Sequence, residues 1–454
     1  MNKKLFFSDK TFLRMMLSVA LPVSIQFLIS TSINMADTVM ISSLGGSEIA
    51  AVGLVNQFVF FFFVACFGVC STGSVFFAQY FGDKDINSVR KYLTIIMQFS
   101  ILIGVIFTVF SLLYPYQIMR ILIPDESVIN VGISYLRLIS LTFLITAISQ
   151  CFNTVLRSCN RAKEPLLVSI VSFFVNVFFN YMFIFGKFGA PAMGVSGAAL
   201  GTIIARIVEI VLLTLMILRH KPGVHLLTPT NLLKFESVRI KKYFEIGTTI
   251  ILAEILWALG QLLFAIAYAR IGKDATASIQ LTNTIQNIFF IIVNAVNTSA
   301  TVLIGQTLGA GKIEKADRYA KYFLQITSTL GFISLSILAG LPHLLMKIYT
   351  NIEPHIYAMA ISLLIIRGLF IPFRFLNGML YTGIFRAGGE TKIPFLIELS
   401  TMWGFAIPMS FIGVLFLKWR IEWIFMIVSL EEFIKFFLIL PLYKKKRWLN
   451  NLTN

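Results

Sequence analysis

Residues 78–92 read AQYFGDKDINSVRKY, and residues 305–319 read GQTLGAGKIEKADRY. The two stretches lie 227 residues apart, and that offset puts Gln79 on Gln306, Gly82 on Gly309, Lys91 on Arg318 and Tyr92 on Tyr319. Working outward, Gly45 and Asn56 fall on Gly272 and Asn283. Farther along the offset becomes 229, where Arg157, Lys163 and Pro165 meet Arg386, Lys392 and Pro394. Matches that stay in register over most of each half mark an internal repeat.

Composition says what is repeated. Of 454 residues 57% are hydrophobic and 13% charged, with 44 Phe and a mean hydropathy of +0.84. A soluble domain has about 45–50% apolar and about 25% charged residues, so a soluble globular protein, a disordered chain and a secreted scaffold are excluded. A membrane span needs about 20 mostly apolar residues. Twelve such segments run near 15–41, 51–80, 93–117, 131–155, 165–186, 194–218, 244–269, 277–307, 321–346, 356–384, 394–416 and 422–442. Each half takes six, so both copies share one orientation, related by an axis along the membrane normal. The expected fold is an all-α polytopic membrane protein of twelve transmembrane helices in two six-helix lobes. The first lobe covers 1–219, a polar cytoplasmic linker 220–242 and the second lobe 243–454. Lobes of this kind imply a cleft and alternating access.

The net charge of +17 would fit a nucleic-acid binder in a soluble chain. Here it reads as topology. With both termini in the cytoplasm, 26 of the 38 Lys and Arg fall on the cytoplasmic side and 7 outside, as the positive-inside rule requires. The expected location is the bacterial inner or plasma membrane, multi-pass, with no nucleic-acid partner. The polar N-terminus leads into an apolar stretch without a small-residue cleavage site, so no cleaved signal peptide is expected. Cys66, Cys70, Cys151 and Cys159 have no zinc or disulfide spacing and read as small core residues. His220, His225, His343 and His355 have no metal spacing either. Without a Walker A sequence or a Ser/His/Asp or Cys/His grouping, the chain reads as no enzyme and needs no cofactor.

A charge at the bilayer centre costs at least about 2.5–3.5 kcal/mol, so every ionisable residue in a span needs a reason. Arg206 with Glu209 and Glu431 with Lys435 are spaced to neutralise each other along one helix. Arg137 and Arg367 correspond within one residue and read as architectural, capping loop carbonyls. Glu398 suits the first turn of its helix. Asp37 has no opposite charge three or four residues away, and its repeat counterpart is Phe264. Glu254 lies about 16 Å along its helix from Tyr243, near the midplane, and its counterpart is Phe27. An acid kept in one copy only fits ion or proton coupling. For Asp37 the alternative is an interfacial residue near the helix end.

Several motifs together resemble the multidrug and toxic compound extrusion (MATE) family over nearly the whole chain. They are Pro22 with Met35-Ala36-Asp37-Thr38-Val39-Met40 and Leu44-Gly45, Ala78-Gln79-Tyr80-Phe81-Gly82, and Val155-Leu156-Arg157. Gly194-Val195-Ser196-Gly197-Ala198-Ala199-Leu200-Gly201-Thr202 and Ile384-Phe385-Arg386-Ala387-Gly388-Gly389-Glu390-Thr391-Lys392 complete the set. The resemblance implies two V-shaped lobes, a monomer, and antiport of organic, often cationic, amphipathic small molecules driven by Na+ or H+. It also implies that Asn176, Asn180 and Thr202 converge on Asp37. One carboxylate and neutral oxygens suit Na+; a desolvated Asp suits a proton equally, and ordinary interhelical hydrogen bonds explain the two Asn as well. Pro22 reads either as the point where the first helix bends or as a packing kink. In the second lobe, family members with a cation site pair the equivalent of Glu254 with an Asp. This chain has Arg374, Phe375 and Asn377 there, so Arg374 is the expected partner of Glu254, and Glu254 binds either an ion or a cationic substrate. Trp257, Gln261, Asn283 and Gln286 lie on helices that should line that cleft, with packing as the other explanation. Of the wider superfamily, a lipid-linked oligosaccharide flippase is the alternative. It needs a basic cleft, and only Arg137, Arg367 and Arg374 remain to build one.

Overall fold

The computed structural model describes residues 6–218, 236–349 and 352–453. Most of the expected linker, 220–242, lies outside the described residues. After a 3-10 turn at Phe6–Ser8, the first half forms α1 (Lys10–Ser42), α2 (Gly46–Gly82), α3 (Ile86–Leu113), α4 (Pro115–Leu122), α5 (Glu126–Ser140), α6 (Thr142–Ser158), α7 (Lys163–Phe185) and α8 (Val195–Leu218). The second half forms α9 (Ser237–Ala269), α10 (Lys273–Gly309), α11 (Ile313–Gly340), α12 (Pro342–Met346) and α13 (Pro354–Gly378). Next, α13 runs on through a π-helical segment, Met379–Phe385. α14 (Lys392–Glu398) passes through a second, Leu399–Ala406, into α15 (Ile407–Leu415), and α16 (Ile421–Lys444) follows. Among the described residues there is no strand.

The repeat is visible in backbone detail. The ends of α1, α2 and α3 recur 227 residues on as the ends of α9, α10 and α11. Gly45 and Gly272 hold φ of 150° and 146°, which only glycine adopts readily. Lys84 and Gly311, also 227 apart, hold 65° and 71°, and Asn160 and Gly389, 229 apart, hold 62° and 71°. The turns therefore repeat even where the residue does not.

Ten described helices are long and apolar enough to cross a membrane, or eleven if α5 and α6, bent by 45°, count as one span. That bend breaks the span expected at 131–155 beside Leu141. α16 has the length of a span, but Glu431, Glu432 and Lys435 make it polar. Glu398 ends α14, seven residues in, and does not sit in the first turn as expected.

The chain divides into two compact units, Leu21–Gly247 and a unit of Met1–Ala20 with Thr248–Asn454. The division cuts α1 and α9 at positions 227 apart, whereas the repeat itself starts each half at the beginning of those helices. Inside Leu21–Gly247, α7 and α8 pack through Gly197 and Gly201. A Cβ at Gly197 would stand 2.5 Å from the Phe183 carbonyl oxygen. Two glycines four apart let helix backbones approach in lipid, where no hydrophobic effect drives them together. Within this unit Ile41, Val55, Ile129, Tyr135, Leu136 and Ile184 pack into one buried apolar cluster. In the other unit a comparable layer comprises Phe264, Tyr268, Met402, Ile424 and Phe425.

Candidate ion-binding site

Asp37 lies near the C-terminal end of α1, half-buried. Asn176 and Asn180 are one turn apart on α7, 2% and 1% exposed, and face α8. Close approach of α8 explains that burial: at Gly201 a Cβ would fall 2.8 Å from the Asn180 backbone N and collide with its Oδ1. Asn180 Nδ2 donates to Asp37 Oδ1 at 2.5 Å and to Asn176 Oδ1 at 3.3 Å. Asn176 Nδ2 donates to Thr202 Oγ1 at 3.3 Å, and that hydroxyl donates to the Ala198 carbonyl at 3.0 Å. The four residues expected to converge thus form one chain of contacts across α1, α7 and α8. Asn180 Oδ1 is buried without a hydrogen bond among the described residues. The site therefore gathers neutral side-chain oxygens around one carboxylate.

Two further residues stand near this site, and the sequence linked neither of them to Asp37. Tyr135, buried on α5, lies close enough to feel the charge of Asp37. Arg206 also acts on Asp37, although its guanidinium is held by Glu209 at 2.6 Å. Asn153 Nδ2 donates to the same Glu209 at 3.4 Å, so the expected pair is a group of three. Pro22 lies inside α1, which runs through it as one helix.

The sequence profile of the MatE family matches residues 22–182 and 249–412. The chain belongs to the MatE family. As a MatE protein it is a membrane transporter and not an enzyme. A curated relative, the uncharacterized transporter YisQ of Bacillus subtilis, is 24% identical over 97% of this chain and 96% of its own. The probable multidrug resistance protein NorM of Thermotoga maritima is 26% identical over 91% and 89%. A MATE crystal structure in a bent conformation superposes with a TM-score of 0.87 at 17% identity, covering 96% of this chain and 95% of its own, a likeness of fold.

The second half of this MatE protein departs from expectation. Glu254 is bound by Arg386, Nη2 to Oε1 at 2.9 Å, and not by Arg374. Arg374 reaches Glu432 at 3.8 Å and lies over the Phe290 ring at 4.7 Å. The pairing follows the repeat: Arg157, counterpart of Arg386, donates to Gln26 at 3.0 Å, next to the counterpart of Glu254. Each copy thus ties an Arg at the end of one helix to a polar side chain on its first helix. Among the described residues no hydrogen bond joins Trp257, Gln261 or Asn283 to Glu254. Trp257 is 38% exposed, and Gln286 is buried with its Oε1 unpaired. Among the described residues Arg367 caps no carbonyl; its guanidinium lies over Phe425 at 4.3 Å. Glu398 is bound by Lys435 at 2.8 Å.

Proposed function

We propose that this chain is a cation-coupled multidrug efflux antiporter of the bacterial inner or plasma membrane, with Na+ or H+ as coupling ion. Its substrates are organic, often cationic, amphipathic small molecules. The observation that carries the proposal is the convergence of Asp37, Asn180, Asn176 and Thr202. The multidrug resistance named for the Thermotoga maritima relative supports the substrate class, and the distribution of basic residues supports both termini in the cytoplasm. We take the monomer as the working unit.

Asn180 presents its amide NH2 to one oxygen of Asp37. For Na+, a half-turn of that amide offers Oδ1, joining one Asp37 oxygen, Asn176 Oδ1 and Thr202 Oγ1. For H+, Asp37 takes the proton and no longer needs the NH2. In either case the Asp37–Asn180 bond is remade, and with it the grip of α1 on α7. Pro22, which removes one backbone hydrogen bond from α1, allows that helix to bend in response. Substrate release outward follows ion entry from outside.

The test is D37N in proteoliposomes with imposed Na+ or H+ gradients and a fluorescent cationic substrate. Gradient-driven efflux is expected to vanish while the purified variant keeps its cooperative unfolding. The wild-type arms identify the ion. Undiminished efflux by D37N would sink the proposal.

A further inference from the structure

The acids of the second-half unit are more numerous than a neutral pair requires. Lys435 Nζ contacts Glu398 and Glu431, each at 2.8 Å, and stands 4.0 Å from Glu432. Three carboxylates from α14 and α16 thus surround one ammonium whose side chain is 6% exposed. Of the other cations facing this group, Arg374 on α13 reaches only Glu432, and Arg367 is turned to the Phe425 ring. An i,i+4 pair is complete with one acid, and Arg374 serves Glu432; Glu398, its side chain 16% exposed and largely withdrawn from water, is one carboxylate more than these cations require, so the surplus calls for a cation.

Neutral oxygens point the same way. Asn377, 3% exposed, donates its Nδ2 to the Glu432 carboxylate at 2.8 Å, which leaves its Oδ1 buried there without a partner. Tyr381 lies with its ring 5.9 Å from Lys435 Nζ, and its buried hydroxyl makes no hydrogen bond among the described residues. Thr401 Oγ1 touches Glu431 at 3.4 Å. Both π-helical segments border this group, since Tyr381 lies in the first and Glu398 directly precedes the second. Such segments recur where a helix is reshaped around a site. The place is also telling, because the offset of 229 puts Thr202 on Glu431 and Arg206 on Lys435. The group thus stands where the first copy has the Thr202 turn and the Arg206–Glu209 pair, beside its Asp37 site.

We propose that Glu398, Glu431 and Glu432, with Asn377 and Tyr381, form a monovalent-cation site whose resident cation is the chain's own Lys435 ammonium. The tether keeps free Na+ out of the second half; removing the ammonium opens the site to Na+. Combined with the Asp37 reading, on which this consequence rests, exchange of a free coupling ion is confined to the first half. The cation site itself stands without that reading.

The experiment uses purified full-length protein in the D37N background, which removes the first site, so that failure of either proposal is seen separately. The thermal unfolding midpoint is followed while Na+ replaces N-methyl-D-glucamine at constant ionic strength. D37N/K435A is expected to show a saturable rise of roughly 4 °C or more. D37N alone and D37N/K435R, which keep a tethered cation, are expected to stay flat. K435Q, closer in volume, is the second variant. No Na+-specific rise in either neutral variant overturns the proposal, and so does an equal rise in K435R. Failure to recover both neutral variants in high NaCl overturns it too, because free Na+ should then stand in for the ammonium.

Discussion

Substituting Gly201 by Ala adds one methyl group and removes no polar atom, yet it should disable the Asp37 site. Its Cβ would stand 2.8 Å from the Asn180 backbone N, against 3.4 Å for ordinary contact. A backbone atom has no rotamer through which to escape, so α7 or α8 must yield by at least about 0.6 Å. Overpacking of this kind costs about 1–3 kcal/mol. The displacement matters more for the ion, whose ligand distances tolerate about 0.2 Å. The expected result is at least a tenfold weaker apparent affinity for the coupling ion in proteoliposome efflux, with a modest fall in unfolding midpoint. Gly53, where a Cβ meets nothing within 4 Å, is the control, and G53A should leave both readouts unchanged. Ion affinity in G201A equal to wild type would refute the argument that helix spacing sets the site.

Other consequences are as direct. T202A deletes one neutral oxygen and should weaken the coupling ion about tenfold without affecting expression, checked by the ion dependence of efflux. E254Q leaves Arg386 facing a neutral group; breaking a buried pair costs about 3–5 kcal/mol, so with side chains 11% and 16% exposed the cost should be at most roughly 3 kcal/mol. The double variant E254R/R386E should recover part of it in thermal unfolding. Lys84 holds a left-handed φ that costs about 1–2 kcal/mol for a side-chain-bearing residue, so K84G should raise stability by about 0.5–1 kcal/mol, and G311K should lower it. Burial of Glu236 pushes its carboxyl up, but hydrogen bonds and charge from Lys91 and Arg239 outweigh it, so the group is held below the usual carboxylate range. A depressed folded pKa gives stability that is present above the unfolded value of about 4.3 and is lost as pH falls through the folded one. E236Q should therefore flatten that acid limb, by less than about 1 kcal/mol because the pair is solvated.

The sequence carried the repeat well because turns fix it. Gly45 and Gly272 sit at backbone angles that other residues resist, so the marker survives while the helices between drift. The Asp37 group was legible through resemblance and through the one-turn spacing of Asn176 and Asn180. What stayed hidden has no local signature. Ser140-Leu141-Thr142 contains neither Gly nor Pro, so nothing in the chain announces the bend between α5 and α6. Helical spacing found Glu431 beside Lys435, but Glu398 arrives from another helix, and only packing brings it to the same ammonium. Arg386 could have been found as the partner of Glu254, since the repeat already offered Arg157 as its twin. Arg374 was the expected partner because the family resemblance implies an acid in that region.

The division of the two compact units has a consequence for how the chain is made. Leu21–Gly247 is one uninterrupted stretch and can close on itself while the ribosome is still at work. The other unit is assembled from stretches on either side of it. The α1 residues before Leu21 are made ahead of that stretch and must wait through its 227 residues before their neighbours exist. A nascent chain stalled once Gly247 has cleared the ribosome should therefore hold a finished first unit whose α1 residues before Leu21 still lack their neighbours, and that segment is where a membrane chaperone would find something to hold.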